Sequence, residues 1–325
     1  MKKALVMVMA GILGLGILTG CATSAASENQ EVYKVSIVQP MDHPSLNQIR
    51  DTIISELNAQ GLGEKIEISL QNANGDMNLL QTIMQKLVGE GVDMIVPIAT
   101  PSAQAAMAAT GQIPIVFSAV SNPVEAGLVK SFSETTGNIT GVSNSIPVVD
   151  IFELSKILTP GVKVYGFIYN SSEINSVASI GKAKSYCDEN NITYKEVSIT
   201  GTADLQQAVL SLTDEVDAFF TPNDNTIASA MATYFQIASD AGIPIYVGAD
   251  SMVRDGGLAT VGIDYTVLGK QTANMIARII DGEKISENPV EQIVEYANII
   301  NSDVADALGI QVPESIKDNF IFISK

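Results

Sequence analysis

Met94-Ile95-Val96-Pro97-Ile98 is a short apolar run, entered through Val92-Asp93 and left through Ala99-Thr100-Pro101-Ser102. A helical pattern over Ser102–Ala109 comes next, and then Ile113-Pro114 leads into a second apolar run, Ile115–Ser118. Apolar runs of four or five residues bounded by cap and turn residues read as strands buried on both faces, with a helix between them. That βαβ reading extends along the chain. Strands are expected at Lys34–Gln39, Ile66–Gln71, Met94–Ile98, Ile115–Ser118, Lys163–Tyr169, Thr193–Ser198, Ala218–Thr221, Ile245–Gly248, Ala259–Ile263 and Glu291–Asn298. Leu46, Ile49, Ile53 and Leu57 make one intervening helix face, stopped at Gly61; Leu79, Leu80, Ile83, Met84 and Leu87 make another, opened by Asp76 as N-cap. Alternating β and α implies parallel sheets covered on both faces.

The pattern occurs twice. Lys34-Val35, Val92-Asp93 and Ile113-Pro114-Ile115 are separated by 58 and 21 residues; Lys163-Val164, Val216-Asp217 and Ile243-Pro244-Ile245 are separated by 53 and 27. The order is the same and the spacing similar, so the chain reads as two similar α/β lobes. Its 325 residues, 46% apolar and 17% charged, suffice for two cores. Lys and Arg number 18 against 36 Asp and Glu, a net charge of −18 that repels nucleic-acid phosphates. One His, two Cys and no Trp leave no supply for a zinc cluster or a disulfide framework.

The first residues form a separate object. Met1-Lys2-Lys3 is a positive start, Ala4–Leu18 an uncharged apolar stretch, and Leu18-Thr19-Gly20-Cys21 resembles the bacterial lipobox. The stretch is short for a membrane span and suits a signal peptide (1–20). Cys21 would then carry lipid, including an acyl chain such as palmitate, at the head of a small, polar tether (21–31). The alternative is an ordinary export signal or anchor with a chance Cys. Removing Lys2 and Lys3 takes the charge from −18 to −20. Cys187, the remaining thiol, reads as a buried structural residue on a helix.

Ligands of open parallel sheets sit beyond the carboxyl ends of the strands. In the first lobe those ends carry Gln39–His43, Thr100-Pro101-Ser102 and Ser118–Ser121; in the second, Asn170–Asn175, Thr221–Asn225, Ala249-Asp250-Ser251 and Asp264-Tyr265. Hydroxyls, amides and carboxylates dominate, with no Lys or Arg. Thr100-Pro101 and Thr221-Pro222 suit helix starts, Thr as N-cap and Pro at the first position. A helix start offers unpaired N–H groups to a carboxylate. The pair could equally do no more than begin a helix. Thr100, Ser102, Ser118, Ser121, Asn170, Asn175, Asp224, Asn225, Asp250 and Asp264 are the candidate ligand-binding residues. Asp250 is expected to be the main partner of a ligand ammonium and Asp224 the second, because Asp224 also serves as an N-cap and Asp264 falls where the chain crosses between lobes. The three acids match no metal loop.

Several stretches together resemble the type I periplasmic binding proteins that feed ABC importers, and more narrowly the tryptophan/tyrosine-type substrate-binding lipoproteins. They are Ala99–Gln104, Pro114–Val124, Ala126–Val129, Gly137–Ser143, Tyr169–Ser176, Thr221–Thr226 and Gly262–Tyr265. Asn122 stands where the family pattern has an acid, and Ser171-Ser172 replaces Pro-Gly. The resemblance implies two lobes (32–145 with 265–290; 146–264 with 291–325), each a parallel sheet flanked by helices, joined by three crossovers near Ser143–Pro147, Ile263–Tyr265 and Pro289–Glu295. It further implies capture of an aromatic amino acid on the extracytoplasmic face of a bacterial membrane. The partners would be an ABC permease and its ATPase. A ligand-sensing receptor of the same fold, or a binder of another polar solute such as a sugar, remains open. Enzymatic readings fail on inventory. His43 has no nucleophile and orienting partner beside it, no Gly-x-Ser-x-Gly or Walker motif occurs, and no cofactor is implied. His43 itself reads as a cleft-wall or plain loop residue.

Overall fold

β1 (Tyr33–Gln39) buries its last five residues, as a strand covered on both faces must. The computed structural model describes residues 32–135, 137–294 and 296–324; Cys21 and the expected signal peptide and tether lie outside them. β2 (Ile66–Asn72), β3 (Met94–Pro97), β4 (Ile115–Ser118), β5 (Ile139–Ser143) and β11 (Glu291–Gln292) join β1 in one sheet, ordered β11-β5-β4-β3-β1-β2. The second sheet holds β6 (Val164–Asn170), β7 (Thr193–Ile199), β8 (Ala218–Thr221), β9 (Ile245–Val247) and β10 (Ala259–Ile263). It is completed by β12 (Tyr296–Asn301) and β13 (Ile321–Ile323), in the order β13-β12-β10-β9-β8-β6-β7. Two parallel-sheet α/β lobes of matching order result, β1 to β5 corresponding to β6 to β10. One pairing departs from the expectation: β12 runs antiparallel to β10.

The repeated dipeptides have a physical basis. The Asp93 carboxylate accepts from Lys34 N at 2.8 Å, and Asp217 accepts from Lys163 N at 2.8 Å and Val164 N at 2.9 Å. Each Asp pins the start of the strand beside its own. The helices are α1 (Pro44–Ala59), α2 (Met77–Glu90), α3 (Thr100–Ala109), α4 (Val148–Leu158), α5 (Ile174–Glu189), α6 (Leu205–Leu210), α7 (Asn225–Ala228), α8 (Met231–Asp240), α9 (Asp250–Arg254), α10 (Tyr265–Ile280), α11 (Ser302–Ala307) and α12 (Glu314–Lys317). Asp76 caps α2 through Asn78 N and Leu79 N, as expected. None of the described helices is long and apolar enough to cross a membrane.

Three differences from the sequence reading stand out. β5 was not among the expected strands: Gly141 interrupts its pattern, and a Cβ there would lie 2.1 Å from Phe117 O. The expected strand Glu291–Asn298 divides, its first residues pairing with β5 and its last with β10. The expected helix Asn225–Ala241 breaks into α7 and α8. Cys187 is buried, and burial pushes its thiol up to about 12, so it is an inert core residue. The second-lobe core is aromatic: the Phe152 ring lies 4.8 Å from Tyr165 and 5.0 Å from Phe220.

The chain passes between the sheets after β5, after β10 and after β11. After β10 it enters α10, which packs across α1 and against β4. At the α1–α10 crossing, a Cβ on Gly269 would approach Thr52 Cβ to 2.6 Å and Ile49 O to 3.2 Å. Gly269→Ala gains about 1 kcal/mol in helix propensity but overpacks this crossing at about 1–3 kcal/mol. A lower thermal midpoint for the variant is expected in a melting scan.

Candidate functional site

The carboxyl edges of the two sheets face each other across a cleft. Its inner part is lined from the first lobe by His43 and Ser45 after β1, Ser121 after β4 and Asn144 after β5. From the second lobe come Asn175 at the start of α5, Asn223–Asn225 after β8 and Met252. Tyr265, where the chain re-enters the first lobe, closes the back. Hydrogen bonds span the lobes: His43 Nε2 to Asn225 Oδ1 at 3.3 Å, Asn223 Nδ2 to Ser121 Oγ at 2.8 Å, and one between the Ser45 and Ser251 hydroxyls. The inner pocket is about 20 Å³, room for a group about the size of water. An outer pocket of about 570 Å³ is lined by chain neighbours of the inner-pocket residues, among them Asp42 and Thr226. Met41, Met77, Pro101 and Gln104 of the first lobe face Asn170, Glu173 and Thr226 of the second there.

Local conformation sets the first-lobe wall. Ala99, two residues past β3, and Ala119, directly after β4, have φ of 71° and 59°. Strain of this kind gathers where a ligand edge must be shaped. It turns the chain sharply into α3, whose N-cap is Ala99, not Thr100. Thr100 and Ser102 therefore lie in the first turn, whose amides have no intrahelical acceptor. Their hydroxyls are buried and unpartnered. Thr221 starts no helix either; it ends β8 and donates to Ile168 O at 2.9 Å.

Two buried acids organise the second-lobe wall. Glu173 accepts from Asn225 N at 3.1 Å, Asn225 Nδ2 at 2.6 Å, Thr226 N at 2.9 Å and Thr226 Oγ1 at 2.8 Å. Asp224 caps α7, accepting from Ile227 N at 2.9 Å and Asn170 N at 2.6 Å. Burial, and then the Glu173 charge, push the Asp224 carboxyl up to about 7, against the pull of those two N–H bonds. Burial lowers the His43 pKa; its bond to Asn225 and the charges of Glu173 and Asp42 work the other way.

The remaining candidates separate by position. Ser121, Asn175, Asp224 and Asn225 meet in the inner pocket. Asn170 lines the outer one and donates to Thr226 Oγ1 at 2.7 Å. Ser118 is paired with Thr272 of α10 at 2.8 Å, inside the first lobe. Asp250 accepts from Ser251 N and lies 3.7 Å from Arg254, so its charge has a local partner; it is not part of the inner-pocket wall. Asp264 caps α10 through Thr266 N and Val267 N. Glu173 and Asn144 were not singled out from the sequence. Glu173 lies inside the strand-end run Asn170–Asn175 and Asn144 inside the expected crossover Ser143–Pro147, but only the fold shows that they turn inward.

Residues 34–319 match the family described as ABC transporter substrate binding protein. The chain belongs to this family. It is 38% identical to the tyrosine-binding protein of Clostridioides difficile (strain R20291) over 95% of this chain and 93% of that one. The crystal structure of an ABC domain in complex with L-Trp from Streptococcus pneumoniae superposes with a TM-score of 0.87 at 36% identity, covering 90% of this chain and 99% of that one. The ligand-free, open structure of a substrate binding protein with adhesive properties from Clostridium difficile gives 0.70 at 37% identity, covering 90% and 100%. At matched identity the chain fits the liganded structure better than the open one, in agreement with its inter-lobe hydrogen bonds.

The Asp224 shift has a measurable sign. An acid whose folded pKa is raised stabilises the fold fully below its unfolded pKa and loses that contribution as pH rises through the folded value. His43, shifted downward, contributes the opposite slope near its own pKa but is common to wild type and an Asp224 variant. The stability of wild type minus that of Asp224→Asn should fall between about pH 4 and pH 7. Urea unfolding of both proteins at the two pH values checks this; a constant difference would place no raised acid at 224.

Proposed function

We propose that the protein captures an aromatic L-amino acid (Tyr, Trp or Phe) between its closing lobes and delivers it to an ABC permease driven by a cytoplasmic ATPase. The observation that carries the reading is the polarity of the cleft. Buried, unpartnered hydroxyls of Thr100 and Ser102 lie at the first turn of α3 in the first lobe, and the second-lobe wall is built over two acids. A zwitterion needs that division: donors for its carboxylate on one side, acceptors and negative charge for its ammonium on the other. Thr100, Ser102 and the α3 amides take the carboxylate. Met41 and Met77 give the outer pocket apolar, adaptable surface for the ring. The names of the C. difficile relative and the pneumococcal L-Trp complex support the ligand class. Hydrogen bonds between the lobes close over the inner pocket, so the lobes part for entry, a hinge motion standard for two-lobed binders. No residue in this scheme has a catalytic role.

Ahead of the folded lobes, the lipobox reading makes Cys21 the lipid-bearing first residue of the mature chain. It would hold the acidic protein on the extracytoplasmic face of the membrane. Fatty-acid labelling of cells should mark the wild-type protein and not Cys21→Ala.

Calorimetry with the standard amino acids and a panel of sugars tests the ligand class. Tyr, Trp or Phe should give the tightest binding; tight sugar binding without an amino-acid signal would overturn the reading. Ser102→Ala removes one donor to a charged group and should cost about 1–3 kcal/mol of binding.

A further inference from the structure

Three acceptor atoms at the inner pocket are buried and have no partner: His43 Nδ1, Asn175 Oδ1 and Asn223 Oδ1. For His43 and Asn175 the surrounding acceptors fix which atom donates, and for Asn223 the hydrogen-bond chain through Ser121 assigns it. A carboxylate only accepts, so the Asn225 group facing Glu173 Oε2 at 2.6 Å is its amide nitrogen, and its oxygen is the atom turned to His43. His43 must then donate from Nε2. With the ring neutral, Nδ1 is left as a bare acceptor. Asn175 Nδ2 lies 3.4 Å from Glu173 Oε2 and 3.3 Å from the Asn223 carbonyl, both acceptors, which leaves its oxygen free. Asn223 Nδ2 donates to Ser121 Oγ at 2.8 Å while that hydroxyl donates to Asn144 Oδ1 at 3.0 Å. Its oxygen, too, is free.

We propose that His43 Nδ1, Asn175 Oδ1 and Asn223 Oδ1 form a cradle for the ligand's primary ammonium, with His43 held neutral in its Nε2–H tautomer. This rests on the amino-acid reading above and adds which atoms select the amine. Three acceptors meet three N–H donors. The 20 Å³ pocket suits a group the size of water, with the rest of the ligand in the outer pocket. Asp224 shares the inner-pocket lining, Glu173 holds Asn225 and Asn175, and Asp42 precedes His43, while no Lys or Arg lines the pocket, so the field favours a cation. The positive charge is met by neutral acceptors in contact and by the nearby carboxylates of Asp224 and Glu173. Glu173 is a positioning residue: it sets the Asn225 amide and, through it, the imidazole tautomer.

His43 is the chain's single histidine, so selective ¹⁵N-histidine labelling gives one imidazole to observe without any substitution. At neutral pH the ligand-free spectrum should show a protonated Nε2 and an unprotonated Nδ1. Addition of L-Tyr or L-Trp should shift the Nδ1 resonance and leave the ring uncharged. In calorimetry, 3-(4-hydroxyphenyl)propionate, which lacks only the amine of Tyr, should bind about 100-fold weaker than Tyr or worse. Binding of Tyr or Trp with an unmoved Nδ1, a protonated Nδ1, or equal affinity for the deamino compound would overturn the cradle while leaving the ligand class intact. Absence of binding by Tyr, Trp and Phe would overturn both.

Discussion

Glu173 receives four hydrogen bonds from two consecutive residues, and the second-lobe wall is arranged around it. A carboxylate with 4% exposure would be costly to hold without such partners. Here it fixes the start of α7, a helix of only four residues that has little intrinsic reason to form. Asn225 is thereby held with its oxygen toward the other lobe, and Thr226 is placed to meet Asn170. Asp224 beside it carries first the cost of burial and then that of a like charge in the same dry place, visible as its raised pKa. A cationic group entering the cleft relieves part of that repulsion. An anionic wall that is strained when alone and relaxed with a cation nearby is a natural receptor for an amine.

The duplicated topology is a second constraint. β1 to β5 and β6 to β10 share one order, and Asp93 and Asp217 hold the same place in each. The parallel strands therefore end on matching edges, and the crossings between sheets bring those edges together. This much was legible in the sequence, because apolar runs, N-caps and the Lys-Val, Val-Asp and Ile-Pro-Ile series are local signals. The misses were also physical. β5 contains a glycine that only its contact with Phe117 explains, and the run after Pro289 reads as one strand although its two halves belong to different sheets.

At the site, the sequence located strand ends but not side-chain direction. Thr100 and Ser102 stand buried and unpartnered in the first turn of α3, whereas Ser118, an equally good candidate by position, turns into its own lobe to meet Thr272, 154 residues away. Asp250 follows β9 as expected, yet Arg254, one helical turn on, already faces it. Neither fact is written in the residues near them. The same holds for the amides: an Asn is donor and acceptor at once, and which end faces the pocket depends on a carboxylate or carbonyl brought there by another strand.

Closure follows from how little holds the lobes together. The bonds across the cleft join amide, imidazole and hydroxyl groups, and each such neutral hydrogen bond nets about 0.5–1.5 kcal/mol because water would otherwise make it. Their sum is a few kcal/mol, within reach of ordinary thermal opening. A zwitterion touching both walls adds charge-assisted bonds that exist only when both walls are in place. Moving a two-state equilibrium from mostly open to mostly closed takes a differential affinity of about 5.5 kcal/mol, which two or three such bonds can supply. The weak neutral bonds thus keep the unliganded protein able to open, and the closed form becomes dominant when a ligand brings charges that complement both edges.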